Sequence, residues 1–160
     1  MTVPAEALRE SVLAVYARVL DAWNQRDAKA FAALFTATGS AVGFDGSQMN
    51  GRGEIESELA GVFANHPTAA YVAKVREVRA LGSESALVRA VVGMIPPGKT
   101  ELNSSTNAVQ SLLVVVESGE PKIALLHNTP AAFHGRPHLS EQLTHELAEV
   151  VRAGRTIDAG

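Results

Sequence analysis

The chain contains no cysteine among its 160 residues. Disulfides, thiolate nucleophiles and Cys-ligated zinc or iron–sulfur centres are therefore all excluded, and redox chemistry would require a bound cofactor. It also lacks an excess of positive charge. Fourteen Lys and Arg against 17 Asp and Glu leave a net charge of −3, and the cations are scattered, so nucleic acid is not an expected partner. No run of about 18 apolar residues occurs, and the opening Met1-Thr2-Val3-Pro4-Ala5-Glu6 has no basic segment followed by an apolar one. A soluble, cytoplasmic protein without a membrane partner is expected. There is no G-x-G-x-x-G turn for a dinucleotide and no H-E-x-x-H for zinc. His134, His138 and His145 follow no ligand spacing, the first two straddling Gly135-Arg136-Pro137. Neither a cofactor nor a metal is expected.

The chain is 46% hydrophobic, which suits one core and one domain spanning 1–160. From Pro4 to Trp23 the apolar residues Leu8, Val12, Val15, Tyr16, Val19 and Trp23 recur at spacings of three and four, predicting an amphipathic helix with Pro4 in its first turn. Asp27 is placed to cap a second short helix striped by Phe31, Leu34 and Phe35 and ending before Gly39. A short apolar run through Phe44 then meets an Asp45-Gly46 turn, and Gly51-Arg52-Gly53 introduces a third helix carrying Ile55, Leu59, Val62 and Phe63. From Tyr71 a meander follows: a strand to about Leu81, a Gly82-Ser83 turn, a strand to Ile95, a Pro96-Pro97-Gly98 loop, and two long strands joined at Ser118-Gly119. Leu139, Leu143, Leu147 and Val150 or Val151 stripe a final helix with Ser140 as its N-cap. Helices first and antiparallel strands after indicate the α+β class.

An even-length loop at Ser118-Gly119 would put Gln110, Leu112, Val114, Ile123, Leu125 and His127 on one face of the last hairpin, with Ser111, Leu113, Leu126 and Asn128 on the other. Both faces are largely apolar. One is expected to line a cavity, and the other to be covered by a second copy of the chain or by the C-terminal helix.

Three segments carry a family resemblance: Ala22-Trp23-Asn24-Gln25-Arg26-Asp27, Gly51-Arg52-Gly53-Glu54-Ile55, and Ile123-Ala124-Leu125-Leu126-His127-Asn128-Thr129. In this order they resemble the SnoaL-like polyketide cyclases and ketosteroid isomerases of the nuclear-transport-factor-two-like superfamily. Phe44-Asp45-Gly46-Ser47 and His127-Asn128-Thr129 are similar to segments of the small SnoaL-like proteins of bacterial enediyne polyketide pathways. The resemblance implies a cone-shaped curved antiparallel sheet wrapped around the N-terminal helices and a homodimer paired through the sheet; with it the domain is expected to have a core of about 4–133, and the helical stripe to form a C-terminal extension at 138–154. It also implies a small apolar polyketide-like ligand and contact with a polyketide synthase. The oxidoreductase label that this subgroup often carries has no support in the residues.

The family's acidic bases are missing. The stretch matching the isomerase base, Leu34-Phe35-Thr36-Ala37-Thr38-Gly39, has no carboxylate; Val19 stands where the isomerase tyrosine is expected, with Tyr16 one turn earlier; and Asn128 replaces the cyclase aspartate on the last strand. An amide is not a base, but it donates and accepts hydrogen bonds and suits holding a ketone or enol. His127 is the candidate acid or base, because its ordinary pKa is near neutrality. Tyr16 is the candidate proton donor. Val19, Trp23, Phe35, Phe44 and Gln110 are the candidate pocket residues, against the alternative that the aromatics are simply core. Buried or interfacial structural roles compete for His127 and Asn128. Two functions are thus expected in competition: handling of an apolar polyketide intermediate with promotion of its cyclisation, or noncatalytic ligand binding or interaction with a synthase.

Overall fold

The computed structural model describes residues 5–160, so the Pro4 expected in the first turn lies outside the described residues. The first helix, α1 (Ala5–Asn24), buries Leu8, Val12, Val15, Tyr16, Val19 and Leu20, the face that the three-and-four spacing marks. Asp27 then accepts a hydrogen bond from the Ala30 N–H at 3.0 Å and caps α2 (Ala28–Ala33). This second helix is shorter than expected. Phe35 begins a strand, β1 (Phe35–Val42), rather than extending the helical stripe. The Thr36-Ala37-Thr38-Gly39-Ser40 run that follows has weak helix propensity, and Leu34 closes the helix as its C-cap.

Beyond a turn at Gly43–Ser47, β2 (Gln48–Asn50) pairs back onto β1, and α3 (Arg52–Asn65) follows. The Gly51-Arg52-Gly53-Glu54 motif proves to be a fastening. Gly51 takes φ +95°, a conformation open to glycine. Arg52 donates from Nε and a terminal nitrogen to the Phe35 carbonyl at 3.0 and 2.8 Å, and Glu54 accepts from the Asn50 N–H.

The meander comes out as β3 (Ala70–Ala80), β4 (Ser85–Ile95), β5 (Ala108–Glu117) and β6 (Glu120–Pro130). Asn103, Ser105 and Asn107 lie in and around a 3-10 turn at Ser104–Thr106, which Asn103 caps by accepting from the Ser105 N–H. The final helix, α4 (Pro137–Arg152), starts a turn earlier than expected: Pro137 occupies its first turn after Arg136, so Ser140 lies inside it. A short strand β7 (Ile157–Asp158), not anticipated, closes the order β2-β1-β6-β5-β4-β3-β7. The sheet is open and mostly antiparallel, with parallel pairing of β1 on β6 and of β7 on β3.

Bulges bend this sheet in β3 between Val75 and Glu77 and in β6 between Ile123 and Leu125, and the register of β1 on β6 shifts between Phe35 and Ser40. The inner face packs on α1 through Val88, Ala90, Val92, Leu112, Val114 and Ile123, all buried. Part of the outer face is covered by α4, whose Leu143 and Leu147 pack with Val91. Lys74 and Arg76 of β3 hold the same helix through Glu146, at 3.7 and 2.7 Å. The outer stripe of β5–β6 stays open, with Val109 37% exposed. No helix among the described residues is long and apolar enough to cross a membrane.

Candidate functional site

A cavity of about 440 Å³ lies between the inner face and the helices. Its walls come from α1, α2 and α3 and from six of the seven strands, with Val19, Leu20, Trp23, Phe31 and Leu59 supplying much of the apolar surface. Of the expected pocket residues, Val19, Trp23, Phe44 and Gln110 line it. Phe35 does not: it is fully buried behind Phe31, 5.5 Å between ring centroids, and belongs to the core.

The polar groups form a directed chain. Tyr16 donates its hydroxyl to Gln110 Oε1 at 2.6 Å, Gln110 Nε2 donates to Asn128 Oδ1 at 2.8 Å, and Asn128 Nδ2 donates to the Val42 carbonyl at 3.2 Å. The direction is fixed at the far end. A carbonyl only accepts, so Asn128 must present its NH₂ to Val42 and its oxygen to Gln110. Gln110 must then present its NH₂ to Asn128 and its oxygen to Tyr16, which has to donate. Each amide carries two N–H groups and spends one within the protein. Gln110 and Asn128 are 1% and 8% exposed, and both line the cavity.

This arrangement assigns the three expected catalytic residues different places. Asn128 is at the cavity wall. Tyr16 is fully buried behind Gln110 with its proton already committed; burial, and secondarily the nearby Tyr71, holds its hydroxyl far above the ordinary phenol range. It does not line the cavity, so it supports Gln110 rather than offering a proton to a ligand. His127 is exposed on the outer face opposite Ser111. The expected pairing of Gln110 with His127 on one face is corrected, because Gln110 stands opposite Asn128. The cause is the β6 bulge: Val114 pairs with Ile123 but Leu113 with Leu125, so Ala124 is an extra residue and every later side chain changes face.

Among the cavity residues that the sequence did not single out are Tyr71, Met49, Asp45 and Glu58. Tyr71 was legible in the alternation of β3, where Tyr71, Ala73 and Val75 oppose the charged Lys74 and Arg76. Burial pushes its hydroxyl up to about 12, so it is a neutral donor at physiological pH. Asp45 and Glu58 are exposed and line the mouth. The side chain and backbone N–H of Ser47 hydrogen-bond to Asp45 and hold its carboxyl below the usual range, which makes it a weak base.

The Trp23-to-Asp27 motif organises this wall. Trp23 donates from its indole to the Ala69 carbonyl at 2.9 Å and packs 5.4 Å from the Tyr71 ring. Asn24 takes a hydrogen bond from the Tyr71 N–H at 2.7 Å and returns one to the Tyr71 carbonyl at 3.1 Å. Arg26 donates to the carbonyls of Phe63 and His66 and to the Thr68 hydroxyl, tying down the end of α3.

The family model described as "SnoaL-like domain" matches residues 12–130. No curated protein matches the sequence. Among solved structures, a domain of unknown function with a cystatin-like fold from Nostoc punctiforme is similar at a TM-score of 0.74 and 24% identity, over 91% of this chain and 94% of that one. A ketosteroid isomerase-like protein from Erwinia carotovora atroseptica is similar at a TM-score of 0.61 and 19% identity, over 77% and 95%. An NTF-2-like protein of unknown function from Shewanella oneidensis gives a TM-score of 0.59 and 17% identity, over 76% and 98%. At these identities the structural likeness shows the fold.

Proposed function

The chain belongs to the SnoaL-like domain family, and from that premise we propose that it binds a neutral, apolar carbonyl compound of polyketide type in its cavity and holds it for intramolecular ring closure. The observation that carries this reading is the fixed direction of the Tyr16–Gln110–Asn128 chain, which leaves amide N–H donors beside apolar walls. Amide donors in an apolar cavity bind a carbonyl oxygen and favour negative charge building on it. The mouth carboxylates Asp45 and Glu58 disfavour anionic ligands by like-charge repulsion.

Ring closure of this kind joins an enol carbon to a second carbonyl carbon, while the enol proton ends on that carbonyl's oxygen. It is an isomerisation and needs no cofactor or oxidant. The protein's part is to fold the ligand and polarise one carbonyl, since confinement of reacting carbons lowers the entropic cost. The polyketide class, and an enediyne pathway within it, rest on the resemblance of Phe44-Asp45-Gly46-Ser47 and His127-Asn128-Thr129. Binding without turnover, as a carrier working beside a synthase, is a second reading. The weak basicity of Asp45 and the absence of a carboxylate at Asn128 favour it.

The test is binding of a bicyclic aromatic ketone such as 2-acetylnaphthalene, of its hydrocarbon counterpart 2-ethylnaphthalene, and of 2-naphthoate. Preference for the ketone, lost in Asn128→Leu, supports the reading; equal binding of ketone and hydrocarbon, or tightest binding of the carboxylate, overturns it. Turnover of a linear polyketone by the wild-type protein would separate cyclase from carrier.

The open outer stripe of β5–β6 also supports pairing of two copies through the sheet. A monomer in sedimentation at micromolar concentration would remove that proposal.

A further inference from the structure

We infer that Tyr71 is a ligand-contacting residue whose hydroxyl donates a hydrogen bond to an acceptor oxygen on the bound molecule, so that the cavity selects oxygenated rather than purely hydrocarbon ligands. The inference rests on the carbonyl-binding reading above and adds a donor from a different strand.

The geometry has three parts. First, the Tyr71 ring lines the cavity, yet among the described residues its hydroxyl has no hydrogen-bond partner, whereas Tyr16, the chain's other tyrosine, is paired with Gln110. Tyr71 is half-buried and its hydroxyl is not sealed from solvent, so its donor is open to an acceptor that enters the cavity. Secondly, its position is held more firmly than packing requires. Asn24 clamps both backbone polar groups of Tyr71, and Trp23, itself anchored at Ala69, lies against the ring. Preorganised donors bind an oxygen without spending rotamer entropy at the moment of binding. Thirdly, Tyr71 lies towards the Tyr16 end of the chain that runs from Tyr16 through Gln110 and Asn128. Its hydroxyl is close enough to that of Tyr16 to disfavour the ionisation of Tyr16, and its strand neighbour Met94 lines the same cavity.

Asn24 is thereby a positioning residue for Tyr71, which explains why the Trp23-Asn24 pair sits at the end of α1 facing the start of β3. Gln110 Nε2, Asn128 Nδ2 and the Tyr71 hydroxyl then all carry hydrogens that a ligand oxygen can accept from. The ligand oxygen matched to that set is a ketone, ester or enolate oxygen with no hydrogen of its own.

Tyr71→Phe tests this directly, because it removes the hydroxyl and leaves the ring against Trp23. The readouts are affinities for 2-acetylnaphthalene and 2-ethylnaphthalene, together with the infrared carbonyl stretch of the bound ketone carrying a ¹³C label. The expected result is a loss of about fivefold to tenfold in ketone affinity, the worth of one hydrogen bond, with hydrocarbon affinity unchanged and the carbonyl stretch moved to higher frequency. Equal loss for both ligands would mean that Tyr71 acts by packing, and no change in either affinity or stretch would mean that its hydroxyl does not meet the ligand; both overturn the inference. If Asn128→Leu weakens ketone binding while Tyr71→Phe does not, this inference fails and the carbonyl-binding reading stands. If the wild-type protein binds neither probe, both fail together.

Discussion

Gln110 and Asn128 stand directly opposite each other on β5 and β6, joined by a 2.8 Å hydrogen bond from Nε2 to Oδ1. Side by side in an apolar wall, the two amides satisfy each other and are oriented from outside, by Tyr16 at one end and by the Val42 carbonyl at the other. Such a chain is all or nothing, because removing one member strands the next in a site with little water.

The first prediction follows from that dependence. Tyr16→Phe leaves Gln110 Oε1 buried without its donor and is expected to cost about 1–3 kcal/mol of unfolding free energy. Gln110→Leu strands two groups, the Tyr16 hydroxyl and Asn128 Oδ1, and should cost more. The double variant strands only Asn128 Oδ1, so its loss should fall short of the sum of the two single losses. Urea denaturation of the four proteins completes the cycle, and strict additivity would contradict the chain.

A second prediction concerns Gly39, where β1 crosses close to β6. A Cβ added there would lie 2.8 Å from the Ile123 carbonyl oxygen and 3.2 Å from the Phe35 ring. The carbonyl belongs to a paired strand and cannot swing aside, so Gly39→Ala is expected to destabilise the fold by about 1–3 kcal/mol, the usual scale for overpacking. Thermal melting reads this. An unchanged melting temperature would mean that β1 shifts freely relative to β6.

The third prediction is a pH dependence. Hydrogen bonding from Arg76, with the charges of Arg76 and Lys74, holds the Glu146 carboxyl below its ordinary 4.5. A carboxyl whose pKa is depressed on folding adds stability above its unfolded pKa, and that stability is lost as pH falls through the folded value. The groups are partly exposed, so the contribution is under about 1 kcal/mol. Glu146→Gln should therefore be slightly less stable than the wild type at pH 7, and the gap should close as the pH drops below 4.5. A gap that persists at low pH would assign the effect to packing of α4.

Much of this was visible in the sequence where a local rule governs. The face of α1, the Asp27 cap and the hairpin turns each follow from residues within a few positions of one another. The family resemblance, rather than a local rule, put Val19 and Asn128 among the candidates. Parity along β6 failed because one extra residue, Ala124, enters without any mark in composition, and that slip exchanged His127 for Asn128 on the inner face. The parallel docking of β1 on β6 was likewise hidden, since it joins segments far apart in the chain, such as Ala41 and Leu126. The alternation of β3 marks Tyr71 as inward-facing, but that its hydroxyl has no hydrogen-bond partner among the described residues is displayed only by the three-dimensional arrangement.

The last prediction returns the family's carboxylate to its place. In Asn128→Asp one carboxyl oxygen would still accept from Gln110, but the other would face the Val42 carbonyl, which donates nothing. Burial and that opposing carbonyl both favour the protonated acid, which alone can donate to Val42. Its pKa should therefore rise on folding, the reverse of Glu146. A folded state that holds its proton longer than the unfolded chain loses stability as pH climbs above the unfolded value of about 3.9. The variant should be closest to wild type near pH 4 and increasingly destabilised towards pH 7. A carboxyl with a raised pKa at the cavity wall is also a stronger base than the Asp45 carboxylate, so proton exchange at the α-carbon of a bound ketone should be faster than in the wild type. Denaturation between pH 4 and 7, with deuterium uptake by the ketone followed by NMR, checks both. A penalty independent of pH would show that the introduced carboxyl is ionised and solvated, and would mean that water reaches the Gln110–Asn128 site freely.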